Sequence, residues 1–127
     1  MKKAAEIAAK SFRPFPDFEP AIFERHHNRK KDAPSGTANM IGQVVSEHSG
    51  VDDLQITSVR QGQVAGEHTL IFEGAAESLE IVHRAHSRQI FAIGAVLAAE
   101  WLSEETINGL VDFETFLTGS TQWKAVV

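Results

Sequence analysis

The segment Glu24–Ala38, ERHHNRKKDAPSGTA, gathers the side chains of this sequence that are best suited to chemistry. Arg25, Arg29, Lys30 and Lys31 concentrate positive charge, and His26 and His27 add imidazoles that titrate at about pH 6.5 when unperturbed. Pro34 then leads into Ser35, Gly36 and Thr37 ahead of an apolar run, the pattern of a helix start. A helix N-terminus leaves free backbone N–H groups and a partial positive charge, which together accept a carboxylate or phosphate. Gly36 lets a ligand approach the backbone closely, and the Thr37 hydroxyl adds a donor. These residues predict a small-anion site in which His26, His27 and Lys30 are available for proton transfer. A cation at Lys30 favours the neutral form of a neighbouring imidazole.

Competing readings of the same residues stay open on spacing alone. Basic residues in a loop are usually solvated, and Ser-Gly-Thr before an apolar run is usually a helix cap. Adjacent histidines at a strand end point to opposite faces, so His26 and His27 serve one site only if the backbone turns there. Glu24 is the segment's one candidate base, and the opposite side of the strand is open to it. His68, His83 and His86 fall on strand candidates and raise a zinc site as an alternative. With no HExxH pattern and no cysteine pairs, His68 and His83 read as satisfied sheet residues, and no metal is expected.

The elements that must position this segment follow from periodicity. Residues 2–12 form a short amphipathic helix, ended by the three prolines of residues 13–20. Residues 21–27 read as a strand. The helix that begins near Ser35, with Ser35 or Asp32 as its cap, buries Met40, Ile41, Val44 and Val45 and stops at Gly50. Residues 54–62, 66–74 and 77–85 are strand candidates, and the second and third show a clear period of two. Their short connections predict antiparallel neighbours throughout. Residues 88–105 read as a long apolar helix with Phe91, Ala92, Ala95, Val96, Ala99 and Leu102 on a packed stripe. After the break at Asn108-Gly109, Asp112 caps a short helix over 112–117, and the tail to Val127 carries no strong signal. The fold class expected is α+β: a mixed four-stranded sheet with helices packed on one face.

Composition bounds the function. The chain has 127 residues, a length that suits one domain. Its 43% hydrophobic and 23% charged residues are those of an ordinary soluble globular protein. A formal net charge of -5 argues against a nucleic-acid or anionic-membrane binder. The absence of cysteine excludes disulfides and thiolate chemistry. Glu6 and Lys10 interrupt the N-terminal apolar stretch, so no signal peptide is expected and a cytoplasmic protein is.

The motif at Glu24–Ala38 resembles the signature of dihydrodipicolinate reductase: Glu, any residue, His-His, two variable positions, Lys, any residue, then Asp-Ala-Pro-Ser-Gly-Thr-Ala. Glu24, His26, His27, Lys30 and Asp32–Ala38 meet every fixed position. VRQGQVAGEHTLIF, residues 59–72, is similar to the family's strand pair, and EIVHRAHSRQIFAIGAVLAAEWL, residues 80–102, to its final strand and helix. The likeness runs over residues 2–117.

The resemblance implies the substrate-binding and oligomerising half of a reductase of lysine and diaminopimelate biosynthesis, as a single domain over 1–127 that uses its sheet for a homotetramer. The cofactor, NADPH or NADH, is held in that family by an N-terminal Rossmann domain. No Gly-rich βαβ unit precedes residue 24, so none is expected to bind stably to this chain alone, and the chain by itself is expected to be inactive. Position by position, His26 resembles the family's general acid and Lys30 its cationic partner. His27 resembles the substrate-contacting histidine, and Gly36 and Thr37 the pair whose main chain holds a carboxylate of a small dicarboxylate substrate. Arg88 and Phe91 match positions near the cofactor cleft. The alternative is a non-catalytic domain retained for assembly or small-anion binding; a cofactor-free isomerase or lyase is a more distant one, because two cations without a strong base suit proton abstraction poorly.

Overall fold

The structure, a computed structural model, describes residues 1–104 and 109–119. Glu105, expected to close the long helix, Asn108 of the expected break, and residues 120–127 lie outside the described residues. The chain divides into two compact units, Met1–His86 and the residues from Ser87 on.

The first unit runs α1 (Lys2–Phe12), β1 (Glu19–His26), α2 (Gly36–Ser49), β2 (Gln55–Arg60), β3 (Gly66–Glu73) and β4 (Ser78–Ala85). The strands form one sheet in the order β2-β1-β3-β4. β1 pairs with β2 in parallel and with β3 antiparallel, and β3 pairs antiparallel with β4. The architecture is the α+β fold with a mixed four-stranded sheet that the sequence predicts. One expectation fails: β2 and β3, joined by a short link, are not neighbours, because β1 lies between them. The β1–α2–β2 segment is a helical crossover, the connection that parallel strands require. It takes one edge of β1 for β2 and leaves the other for β3.

Pleating sends alternate residues to opposite faces, and the register aligns those residues into rows across the sheet. On one face Pro20 lies opposite Phe72, Ile22 opposite Ile56 and Leu70, and Leu70 opposite Ile81. This apolar half meets Ala5, Ala8 and Ala9 of α1 and Ala38, Ile41 and Val45 of α2 in one buried cluster. Small residues on α1 permit close approach, and Phe12 carries the packing onward by stacking on Phe72 with ring centroids 4.6 Å apart. α2 is delimited by the signals read from sequence. The Ser35 side chain accepts the Ala38 N–H, and Gly50 at φ 84 occupies the left-handed conformation that ends a helix.

In the second unit, α3 (Gln89–Glu104) and α4 (Phe113–Gly119) meet around Phe116, whose ring centroid lies 5.6 Å from that of Trp101 and 5.2 Å from that of Phe113. Asp112 accepts the Thr115 N–H at 2.8 Å, the expected cap. The packed stripe expected on α3 is not observed: none of its residues is buried, and Phe91 is 57% exposed. Its apolar residues have α4 as a partner within the unit, and one short helix covers too little of a helix that is apolar on most sides.

Gly74 gives a test of the packing near the α1 end of the sheet. A Cβ there would lie 2.7 Å from the Phe18 ring, which is itself packed 4.7 Å from Phe12. Gly74→Ala is expected to lower stability by roughly 1–3 kcal/mol in denaturant melts, as overpacking does.

Candidate functional site

The same sheet face changes character toward the C-terminal end of β1. In register across all four strands lie Ser58, Glu24, His68 and His83, a polar row next to the apolar one. Beyond it, His26 lies opposite Arg60. Glu24 and His26 are two residues apart in one strand and therefore share a face. The sequence left the opposite face open to Glu24; the structure puts it beside His26.

Glu24 is fully buried, and His26 and His68 nearly so. Glu24 Oε1 accepts from the Arg60 guanidinium at 2.8 Å and from the Ser35 backbone N–H at 3.2 Å. Its Oε2 lies 2.5 Å from His26 Nδ1. Ser35 Oγ is 3.1 Å from His68 Nε2 while also capping α2. The rings of His26 and His68 meet edge to face with centroids 5.0 Å apart. Thus β1, β2, β3 and the start of α2 converge on one polar cluster.

The electrostatics follow from this crowding. Burial pushes the Glu24 carboxyl up, but Ser58, Arg60 and Ser35 as polar neighbours and the charge of His26 outweigh it and bring it down to about 2. His68 is lowered to about 4, first by burial and then by the charges of His26, His83 and Lys30, against the pull of Glu24. His26 is lowered too: burial leads, Glu24 opposes, and Lys30 and Arg60 add to the lowering.

The loop between β1 and α2 is stitched to the link between β2 and β3. Gln61 N–H donates to the His26 carbonyl at 2.8 Å and Asn28 N–H to that of Gly62 at 3.2 Å. Arg60 also donates to the Asp32 carbonyl, and the Ala33–Pro34 peptide is cis. His27 is half-buried past the strand end. Its carbonyl accepts the Lys30 N–H at 3.1 Å, which turns the backbone there. Lys30 Nζ lies 2.7 Å from Asp32 Oδ1. Asp32 is held below the usual carboxylate range, chiefly by Lys30, with the Gly36 N–H contributing. Gly36 and Thr37 are exposed in the first turn of α2, and a Cβ on Gly36 would meet nothing within 4 Å.

His26, Lys30, Gly36 and Thr37 therefore belong to one neighbourhood of the first unit, with His27 at its edge. Arg88 and Phe91 lie in the second unit, both exposed. Sequence reasoning gave Arg60 no role and read His68 as a satisfied sheet residue, without naming Ser35 as the group that satisfies it. The available signal was the two-residue spacing of Glu24 and His26; the partners from β2 and β3 had no local signal.

Among the described residues, the His/Cys/Asp/Glu group at metal-ligand spacing is Glu24, His26 and His68, with ligand atoms within 4.8 Å, and not the His68, His83 and His86 set raised from sequence. Arg60 already supplies a permanent cation 2.8 Å from Glu24. A second cation would be repelled there, so the trio reads as a hydrogen-bonded acid–base cluster.

A profile of the family described as "Dihydrodipicolinate reductase, C-terminus" matches residues 1–117. The chain belongs to that family. It is 40% identical to the 4-hydroxy-tetrahydrodipicolinate reductase of Syntrophotalea carbinolica over 92% of this chain and 48% of that protein. It is 46% identical to the enzyme of the same name from Methanosarcina acetivorans, over 70% of this chain and 39% of the relative. Among solved structures, dipicolinate-bound dihydrodipicolinate reductase from Paenisporosarcina sp. TG-14 matches with a TM-score of 0.61 at 27% identity, over 73% of this chain and 42% of that one. The chain thus spans less than half the length of these relatives.

The cluster predicts acid sensitivity of a defined kind. Unfolded His68 takes up a proton at about pH 6.5, but the folded state resists until about 4. The stability tied to it is complete above the higher value and is lost as pH falls through the lower. Lowered His26 acts in the same direction, and Glu24 adds a further loss between about 4.5 and 2. Urea melts are expected to show stability falling by on the order of 2 kcal/mol from about pH 7.5 to pH 4, with a shallower fall in His68→Gln.

Proposed function

We propose that this chain is the substrate-binding and oligomerising half of a nicotinamide-dependent dihydrodipicolinate reductase of lysine and diaminopimelate biosynthesis. It takes a pyridine-type dicarboxylate at the start of α2 and supplies the proton donor. The observation that carries this reading is the coupling of an open helix N-terminus to a buried histidine: Glu24 touches both the Ser35 N–H and His26 Nδ1.

The chemistry is consistent with those parts. The N–H groups of Gly36 and Thr37 lie at the positive end of α2, that of Gly36 beside the Asp32 carboxylate that a ligand carboxylate would replace, with open space over Gly36. They suit one carboxylate of the ligand. Lys30, whose ammonium carries three donors, can contact Asp32 and a ligand carboxylate at once. His27 lines the edge of the same site. The nicotinamide, when bound by the cofactor domain, supplies a hydride to the unsaturated ring. His26 gives the accompanying proton through Nε2, with Lys30 assisting, and is then reprotonated from solvent. Arg88 and Phe91 remain candidates for contact with the cofactor. Self-association through the sheet, where Leu79 and Val82 of β4 are exposed, completes the proposal. No described helix is long and apolar enough to cross a membrane, and the site suits a small anion, not nucleic acid.

Titration with pyridine-2,6-dicarboxylate, followed by amide NMR, tests the site. Saturable shifts are expected at Gly36 and Thr37, weakening as salt is raised. Gly36→Val meets no obstacle in the free protein, so the fold should persist while affinity drops at least about tenfold from obstruction of the carboxylate's approach, worth about 1.4 kcal/mol. Absence of shifts at these two amides at millimolar ligand, or full binding by Gly36→Val, would count against the assignment.

A further inference from the structure

We propose that Glu24 is a positioning residue: it holds the His26 ring by its Nδ1–H, leaves Nε2 as the atom that exchanges a proton, and pins the start of α2 to the same point. The use made of Nε2 rests on the function proposed above; the arrangement itself does not.

A carboxylate with no exposed surface must find donors on all sides. Glu24 has Arg60 and the Ser35 N–H on Oε1, and His26 Nδ1 at 2.5 Å on Oε2. Nδ1 and Oε2 form an ion-pair contact at 2.5 Å, both are buried, and neither has a hydrogen-bond partner of ideal geometry. Neutral imidazole carries one N–H and one lone pair. Beside an ionised carboxylate, the nitrogen at Nδ1 must be the one bearing hydrogen. Nε2 then carries the lone pair, and it accepts the proton that the ring later gives away. Nε2 lies 3.1 Å from where a Cβ on Gly66 would sit, so a larger residue there would crowd the ring.

The charged groups around His26 come from every element packed on it. Glu24 on β1 favours the imidazolium, whereas Arg60 on β2 and Lys30 in the loop oppose it. His68 on β3 faces the ring edge to face. Arg60 has a second effect. Its guanidinium stays charged and keeps Glu24 ionised, so Glu24 orients the ring without taking its proton. His68 is engaged elsewhere: since Ser35 Oγ accepts the Ala38 N–H, its own hydrogen is free for His68 Nε2. The two buried histidines therefore have different duties, His68 fixing the helix cap and His26 exchanging protons.

The chain labelled with ¹⁵N tests this by NMR of the His26 ring nitrogens. The expected result is the Nδ1–H tautomer in the neutral form, with a slowly exchanging Nδ1 proton. In Glu24→Gln, the protonation midpoint of His26 should fall by roughly one pH unit or more, and the preference for Nδ1–H should weaken. A dominant Nε2–H tautomer in the unsubstituted chain overturns the proposal, as does a midpoint that Glu24→Gln leaves in place. Should Glu24→Gln fail to fold, the tautomer of the unsubstituted chain decides alone. Neither readout uses a ligand, so failure of dicarboxylate binding and failure of this proposal are separate outcomes.

Discussion

Burying the Glu24 carboxylate is the constraint around which this site is organised. An ion with no exposed surface carries a desolvation penalty of several kcal/mol unless donors replace water. Here the donors come from three directions: the Arg60 guanidinium on β2, the Ser35 amide at the start of α2, and the His26 ring two residues along the same strand. Each of these in turn has its place fixed. Arg60 must lie opposite His26, which the parallel β1–β2 register provides. Ser35 must reach back to β1, which fixes where α2 begins and so where its first-turn amides point.

The sheet supports this by dividing one face into two halves. Toward the start of β1, Ile22, Leu70 and Phe72 pack under α1 and α2 and exclude water. Toward its end, Ser58, Glu24, His68 and His83 replace them in a row across the strands. The apolar half supplies the rigidity that the polar half needs, since Arg60 Nε and His68 Nδ1 are buried there with no hydrogen-bond partner among the described residues. The same crowding lowers both His26 and His68, yet their partners differ. A hydroxyl faces His68 and a carboxylate faces His26, so two residues of one type are set to different tasks.

Legibility in the sequence tracked how local each signal was. Ser35 and Gly50 bound α2 through contacts within a turn, and both could be read directly. The alternation in β3 and β4 likewise revealed those strands and their pairing. The placement of β2 did not follow, because a short link constrains distance but not which edge of β1 is still free. Phe91 misled for a related reason: an apolar stripe states that burial is favourable, not which surface supplies it. Arg60 was invisible as a site residue, since nothing within its own strand refers to Glu24.

By itself the sequence determined the elements, their ends, the concentration of cations and imidazoles before α2, and a motif specific enough to indicate the family. These depend on neighbours within a few positions, where backbone geometry fixes what can touch. Only the tertiary structure decided that Glu24 faces His26, that Arg60 and Ser35 hold that carboxylate from β2 and α2, and that His68 anchors the cap. Those contacts join residues far apart in the chain. They exist because strand order and register bring separate segments onto one face, which no local pattern encodes.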